Sequence, residues 1–122
     1  MKTSAAVACV LLLGTSVCFG SVPGAAARAH QEAVLVDNWV KACSENAPEL
    51  GTELQTAATE WRTRNTEQIA KGESVVRALY EAKQLSFENE SQEGIRRHAE
   101  GLSQLRDLTG KCKSQSRWYR SN

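Results

Sequence analysis

Four carboxylates recur at spacings of seven residues or a multiple of seven, which places them on one face of a helix. They are Glu53, Glu60, Glu67 and Glu81. Paired carboxylates can carry out acid–base chemistry. However, Glu60, Glu67 and Glu73 each have a basic residue four positions later. That spacing is typical of ion pairs on a solvated helix face. The sequence therefore favours a charged surface over a catalytic pair.

The only two histidines of the chain are His30 and His98. Two histidines are too few to argue for a nucleophilic triad, so we assign no catalytic residue and no cofactor, and expect no enzyme. Were the chain an enzyme, the face with Glu60 and Glu67, together with His98, would be the place to look. Beside the apolar residues of its segment, His98 is most simply a boundary residue of the core.

His30 offers a sharper alternative, which depends on where the chain is processed. If a cut falls after Ala29, the new amino terminus and the His30 ring could bind Cu(II), which favours nitrogen ligands. His98 could supply a third ligand. This arrangement resembles the copper brace of secreted copper proteins and oxidative polysaccharide-cleaving enzymes. The resemblance implies a metal site at His30 and His98.

The last residues, 111–122, are polar and basic and carry two aromatic side chains. Basic residues interleaved with aromatics can bind anionic surfaces, nucleic acid or sugar chains. The candidate partner-binding residues are Arg117, Trp118, Tyr119 and Arg120. The alternative is a short tail whose aromatic side chains fold back on the helices. With 15 basic and 14 acidic side chains in the whole chain, the near-neutral charge argues against a general nucleic-acid binder.

Residues 1–29 have the features of an export signal. Lys2 is followed by an apolar run from Ala5 to Phe19, and Ala27-Arg28-Ala29 fits the small-x-small pattern of a cleavage site. A cut after Ala29 is favoured, and one after Ala27 is the close competitor. The apolar run is short for a membrane span, so a retained anchor is a minor alternative. The predicted location is the periplasm or the extracellular space.

Removal of residues 1–29 also removes two of the four cysteines and leaves Cys43 and Cys112. In an oxidising compartment such a pair predicts a disulfide. Two free thiols and an intermolecular bridge are the alternatives. The chain-entropy model assigns the long loop closed by an intramolecular bridge roughly 4 kcal/mol of stabilisation.

Helix-forming residues dominate the remaining chain, and no strand pattern is present. Apolar spacing predicts helices over Gln31–Glu45, Ala47–Leu85 and Asn89–Thr109. Gly72 is a weak point in the long middle helix, where it could mark a bend or a break. Gly110 is suitably placed as the C-cap of the last helix.

The cysteines help to decide the number of helices. Cys43 lies near the end of the first helix and Cys112 just past the end of the last. Because bridged α-carbons lie within about 7 Å, both helices must end at the same end of the bundle. An up-and-down bundle then needs an odd number of helices. We therefore predict an all-α, three-helix bundle over 30–110 with a long middle helix that is continuous or bent, joined by one disulfide and followed by the tail 111–122.

No catalytic set, few histidines and small size favour a non-enzymatic, exported interaction protein. An inhibitor, an immunity protein or an envelope accessory subunit would fit, with another protein as the partner. The expectation includes no nucleic-acid partner and no membrane span after cleavage. The alternative is a small-ligand or copper-binding exported protein that uses His30.

Overall fold

The computed structural model describes residues 22–122, and these form five α-helices and no strand. The helices are α1 (Val22–Asn46), α2 (Pro48–Arg64), α3 (Thr66–Ala82), α4 (Phe87–Ser103) and α5 (Leu108–Ser121). The all-α prediction is confirmed, and the prediction of three helices is wrong. Most of the predicted export signal, residues 1–21, lies outside the described residues.

Helix α1 is longer than the sequence predicted, because it begins at Val22 and not near Gln31. Its first two turns contain the predicted cleavage positions. Ala26 is fully buried and Ala29 is nearly so. These residues are therefore part of the folded helical domain.

Helices α2 and α3 form one bent rod that runs antiparallel to α1. A single residue, Ala47, joins α1 to α2, and Pro48 occupies the first turn of α2, where its missing N–H costs nothing. The bend lies at Asn65, whose N–H donates to the Trp61 carbonyl (3.0 Å) and whose carbonyl accepts from Ile69 (2.9 Å). The predicted middle helix is thus bent, but at Asn65 and not at Gly72.

Gly72 has another role, which is to let two backbones approach each other. A β-carbon at this position would overlap with the carbonyl group of Ala26 in α1. Gly51 plays a similar part nearer the other end of α1, where a β-carbon would overlap with Ser44. The two small residues therefore determine how closely the rod packs along α1.

Helix α4 returns alongside α1, and α5 then runs beside α2. The predicted last helix, Asn89–Thr109, is split, because α4 ends at Ser103 and α5 begins at Leu108. Gly110 is not a C-cap: it lies in the first turn of α5, where its N–H donates to the Asp107 carboxylate (3.0 Å). The segment that the sequence left as a tail is therefore largely helical.

The core lies where α1, α2 and α5 meet. Cys43 and Cys112 form the predicted disulfide, with their α-carbons 6.0 Å apart and both residues fully buried. Trp61 and Tyr119 pack in the same cluster, with ring centroids 5.2 Å apart. Three antiparallel rods precede Cys112, as the disulfide argument required, and α5 is an additional helix. Within 22–122 no helix combines the length and the apolar composition that crossing a bilayer would need.

Candidate functional site

A groove of about 280 Å³ lies where α4 meets α1 and α3. Its apolar side chains come from all three helices. They are Val34, Leu35, Val76, Tyr80 and Ile95. Val34 is 36% exposed, which is high for a large aliphatic side chain that lies beside a core. The groove thus offers apolar surface that residues 22–122 do not cover.

The groove stays open because α4 packs thinly on its neighbours. Leu102 is the one residue of α4 that is buried. Gly94, on the same helix, lines the groove, and a β-carbon built there would meet no atom within 4 Å. The side chain that would close the groove is therefore missing at Gly94.

The rim of the groove is acidic. Glu32 and Glu90 line it, and no lysine or arginine of the described helices does. Glu32 is already engaged, since it lies 3.7 Å from Arg28 and accepts a hydrogen bond from Gln115 (3.1 Å). Among residues 22–122, Glu90 takes part in no ion pair. The Glu90 carboxylate can therefore meet a cation from outside.

His30 lies at one end of the contact between α1 and α4. The residue is 6% exposed, and its ring centroid lies 5.8 Å from that of Phe87, the first residue of α4. The Arg77 guanidinium covers Phe87 at 4.1 Å and pairs with Glu73 at 2.9 Å. Burial lowers the pKa of His30; the charge of Glu73 opposes this shift and that of Arg77 adds to it.

His98 lies at the other end of the same contact. The Asn38 amide nitrogen donates to the Ile95 carbonyl (2.8 Å) and lies 3.2 Å from His98 Nδ1. The Trp39 ring meets the His98 ring edge-on, with centroids 5.5 Å apart. Burial lowers the pKa of His98.

The structure does not bring the two predicted metal ligands together. His30 contacts Phe87, whereas His98 contacts Asn38 and Trp39, and Asn38 lies eight residues, about 12 Å, along α1 from His30. In the described part of the chain, no three His, Cys, Asp or Glu side chains cluster as a metal site would need. His30 also follows about two turns of α1 and is not at a helix end.

The four predicted partner-binding residues do not share one surface. Tyr119 is fully buried against Trp61, and burial raises the pKa of its hydroxyl to about 12. Trp118 is half-buried, with its ring centroid 5.7 Å from that of Trp61. Arg117 donates to the Ser114 hydroxyl (3.2 Å), and Arg120 pairs with Glu53 at 2.6 Å. Trp118, Tyr119 and Arg120 therefore contact α2, whereas Arg117 is exposed and bonds within α5.

The predicted carboxylate face is divided by the bend. Glu60 lies on α2 and Glu67 on α3, and both are exposed. Of the three ion pairs expected at a spacing of four, the structure contains that between Glu73 and Arg77. Arg64 instead donates to the Tyr119 carbonyl near the end of α5 (2.6 Å).

The sequence did not predict the groove, because apolar spacing that includes Val76 and Ile95 indicates helices and not an open surface between them. The available signal was Gly94, a helix-interior glycine one residue before the apolar Ile95. Glycine is unfavourable in a helix interior, which singles the position out. Comparisons of the chain with protein-family models, with curated proteins and with solved structures found no match.

Proposed function

We propose that this chain is an exported, non-enzymatic binding protein that captures a segment of another protein in the groove between α1, α3 and α4. The segment would insert an apolar side chain and place a lysine or arginine beside Glu90. The observation that carries the proposal is the combination of an uncovered apolar lining with an acidic rim. Apolar anchors in pockets dominate most protein interfaces, and complementary charge adds specificity. An inhibitor, an immunity protein or an envelope accessory subunit would work in this way.

Filling the groove should abolish this binding without unfolding the protein. Gly94→Leu adds a side chain into open space, and leucine is the better helix former by nearly 1 kcal/mol. We expect the variant to bind a synthetic amphipathic helix with leucine anchors and lysine flanks at least about tenfold more weakly, because its anchor is blocked. Fluorescence anisotropy of the labelled peptide measures the change.

Gly101→Leu is the matched control, since Gly101 lies on the same helix, also faces open space and does not line the groove. It should bind as the wild type does, and the same peptide with glutamate flanks should bind the wild type poorly. Equal affinity of both variants for the lysine peptide would refute the groove as the binding site. Natural partners are then those that the wild type and Gly101→Leu retain from an extract and Gly94→Leu does not.

The proposed export suggests a processing site upstream of α1. A buried disulfide is typical of proteins that fold in an oxidising compartment. Cleavage after Ala27 or Ala29 would remove Ala26, which packs against Gly72. Cys18-Phe19-Gly20 also fits the small-x-small pattern and directly follows the apolar run. We therefore propose that the mature chain begins at Ser21.

Intact-mass measurement of the protein secreted by a bacterial host tests this proposal. We expect the mass of residues 21–122 with one disulfide. A mass that matches 28–122 or 30–122 would contradict the proposed site, and an uncut chain would contradict export itself. A chain that begins at Ser21 also lacks the amino-terminal histidine that the copper alternative needs, so we do not favour that alternative.

A further inference from the structure

We propose that α4, one wall of the groove, is released by acid, and that protonation of His98 and His30 loosens its contact with α1. The inference rests on the proposed function for its consequence, which is that a bound segment would be let go as Glu90 and Ile95 move away with α4. Release itself concerns only the described helices. Both histidines of the chain lie in this one contact, one near each end of α4.

The hydrogen bonds of Asn38 require His98 to be neutral. The Asn38 amide nitrogen donates to the Ile95 carbonyl, which fixes that nitrogen on the side of α4. Its second hydrogen points to His98 Nδ1, 3.2 Å away, so Nδ1 must accept. A protonated imidazole has N–H groups at both nitrogens. Two donors would then face each other, and the contact between Asn38 and His98 would be lost.

The charged groups near the two histidines do not cancel the effect of burial. From α1, Asn38 and Trp39 contact the His98 ring, and neither has a titratable side chain. Glu73 and Arg77 face His30 from α3, while Glu90 of α4 lines the same groove. Arg77 already places a positive charge over Phe87 and is paired with Glu73 of α3 and Glu88 of α4. Protonation of His30 would add a cation beside Arg77, and burial outweighs the opposing charge of Glu73.

The sign of the pH dependence follows from the burial of both rings. Each histidine has a pKa below its ordinary 6.5 while α4 is docked. The released form therefore binds more protons than the docked form as the pH falls below 6.5. The two histidines therefore contribute their full stabilisation of the docked α4 above pH 6.5, and this contribution is lost as the pH falls through their lowered pKa values. Because Leu102 is the one buried residue of α4, little apolar burial opposes its release.

Hydrogen–deuterium exchange of the full mature protein tests the proposal without any partner. The readout is the exchange of peptides from α4 divided by that of peptides from α2 at the same pH, which removes the intrinsic effect of pH on exchange. Between about pH 7.5 and about pH 5, where histidine titrates, we expect this ratio to rise at least about threefold. The α5 peptides should stay as protected as those of α2, because the disulfide holds α5 to α1.

His98→Gln is the informative variant, because the glutamine oxygen can accept from Asn38 and does not titrate. In this variant the ratio of α4 exchange to α2 exchange should rise less on acidification than in the wild type. Circular dichroism at about pH 7.5 should show unchanged helix content. NMR titration of the histidine ring protons should give both midpoints below 6.5. An unchanged wild-type ratio, an equal rise in the variant, or simultaneous loosening of α2 and α5 would overturn the proposal. Failure of the peptide to bind would count against the groove and not against this mechanism.

Discussion

A Cys43→Ala/Cys112→Ala double variant is expected to unfold with a free energy about 4 kcal/mol below that of the oxidised protein. The bridge joins residues 69 positions apart, and the chain-entropy model gives about this value for a loop of that length. Small domains have total stabilities of about 5–15 kcal/mol, so between about a quarter and four-fifths of that stability would be lost. Urea unfolding followed by circular dichroism measures the difference.

Alanine is preferred to serine because both positions are fully buried, where an unpaired hydroxyl would add a cost of its own. The wild-type protein with its disulfide reduced is the control, since it loses the bridge without a change of side chain. Its free energy of unfolding should lie within about 1 kcal/mol of that of the double variant. A loss below about 1 kcal/mol in both would mean that the disulfide does not limit the unfolded chain as the model assumes.

Gly72→Ala is expected to lower the free energy of unfolding by about 2 kcal/mol, although alanine favours helices. The added β-carbon would overlap with the Ala26 carbonyl group, and the His30 β-carbon is also close. Two of these three obstacles are backbone atoms, so α1 and α3 can accept the methyl group only by moving apart. Interiors are packed as densely as organic crystals, and such a shift disturbs every contact along the crossing. Thermal and urea unfolding both report the loss.

Gly101→Ala is the matched control for this prediction. Gly101 is also inside a helix, and its β-carbon would meet no atom within 4 Å. Helix propensity should then act alone and raise the stability by about 1 kcal/mol. A loss of stability for Gly72→Ala together with a gain for Gly101→Ala would establish that close packing of α1 and α3 requires glycine at position 72. A gain at both positions would show that α1 and α3 separate without cost.

The helical class could be predicted because apolar periodicity is a local signal, and the disulfide because removal of the export signal leaves two cysteines. Apolar periodicity identifies α2 through Leu50, Leu54, Ala57 and Trp61, which are all buried. Helix α5 was not predicted because its buried face consists of Cys112, Ser116 and Tyr119. These residues have helical spacing, but a serine and a cysteine do not look like a hydrophobic stripe. Asp107, which caps α5 through the Gly110 N–H, was the signal that could have revealed its start.

The start of α1 was missed for a different reason. Apart from Arg28, residues 22–29 are small and apolar, and in sequence they fit the end of an export signal equally well. What assigns them to the fold is their fit against Gly72, a contact with a residue far along the chain. The groove could not be predicted for the same reason, since it depends on where α4 crosses α1 and α3. The residue pattern within one helix does not determine how that helix crosses its neighbours.

The one-residue connection at Ala47 has a consequence for how the chain assembles. Closing a short loop costs little entropy, so α1 and α2 can pair as a local hairpin before distant segments arrive. That hairpin already aligns Leu54 and Trp61 with the face on which α5 will lie. The thiol of Cys43 is therefore already positioned at the edge of the folded hairpin, and Cys112 comes within bonding distance of it only when α5 docks. We expect the disulfide to form after the α1–α2 hairpin has folded. Mispaired or intermolecular bridges would therefore indicate that α5 has failed to dock, and not that the hairpin has failed to form.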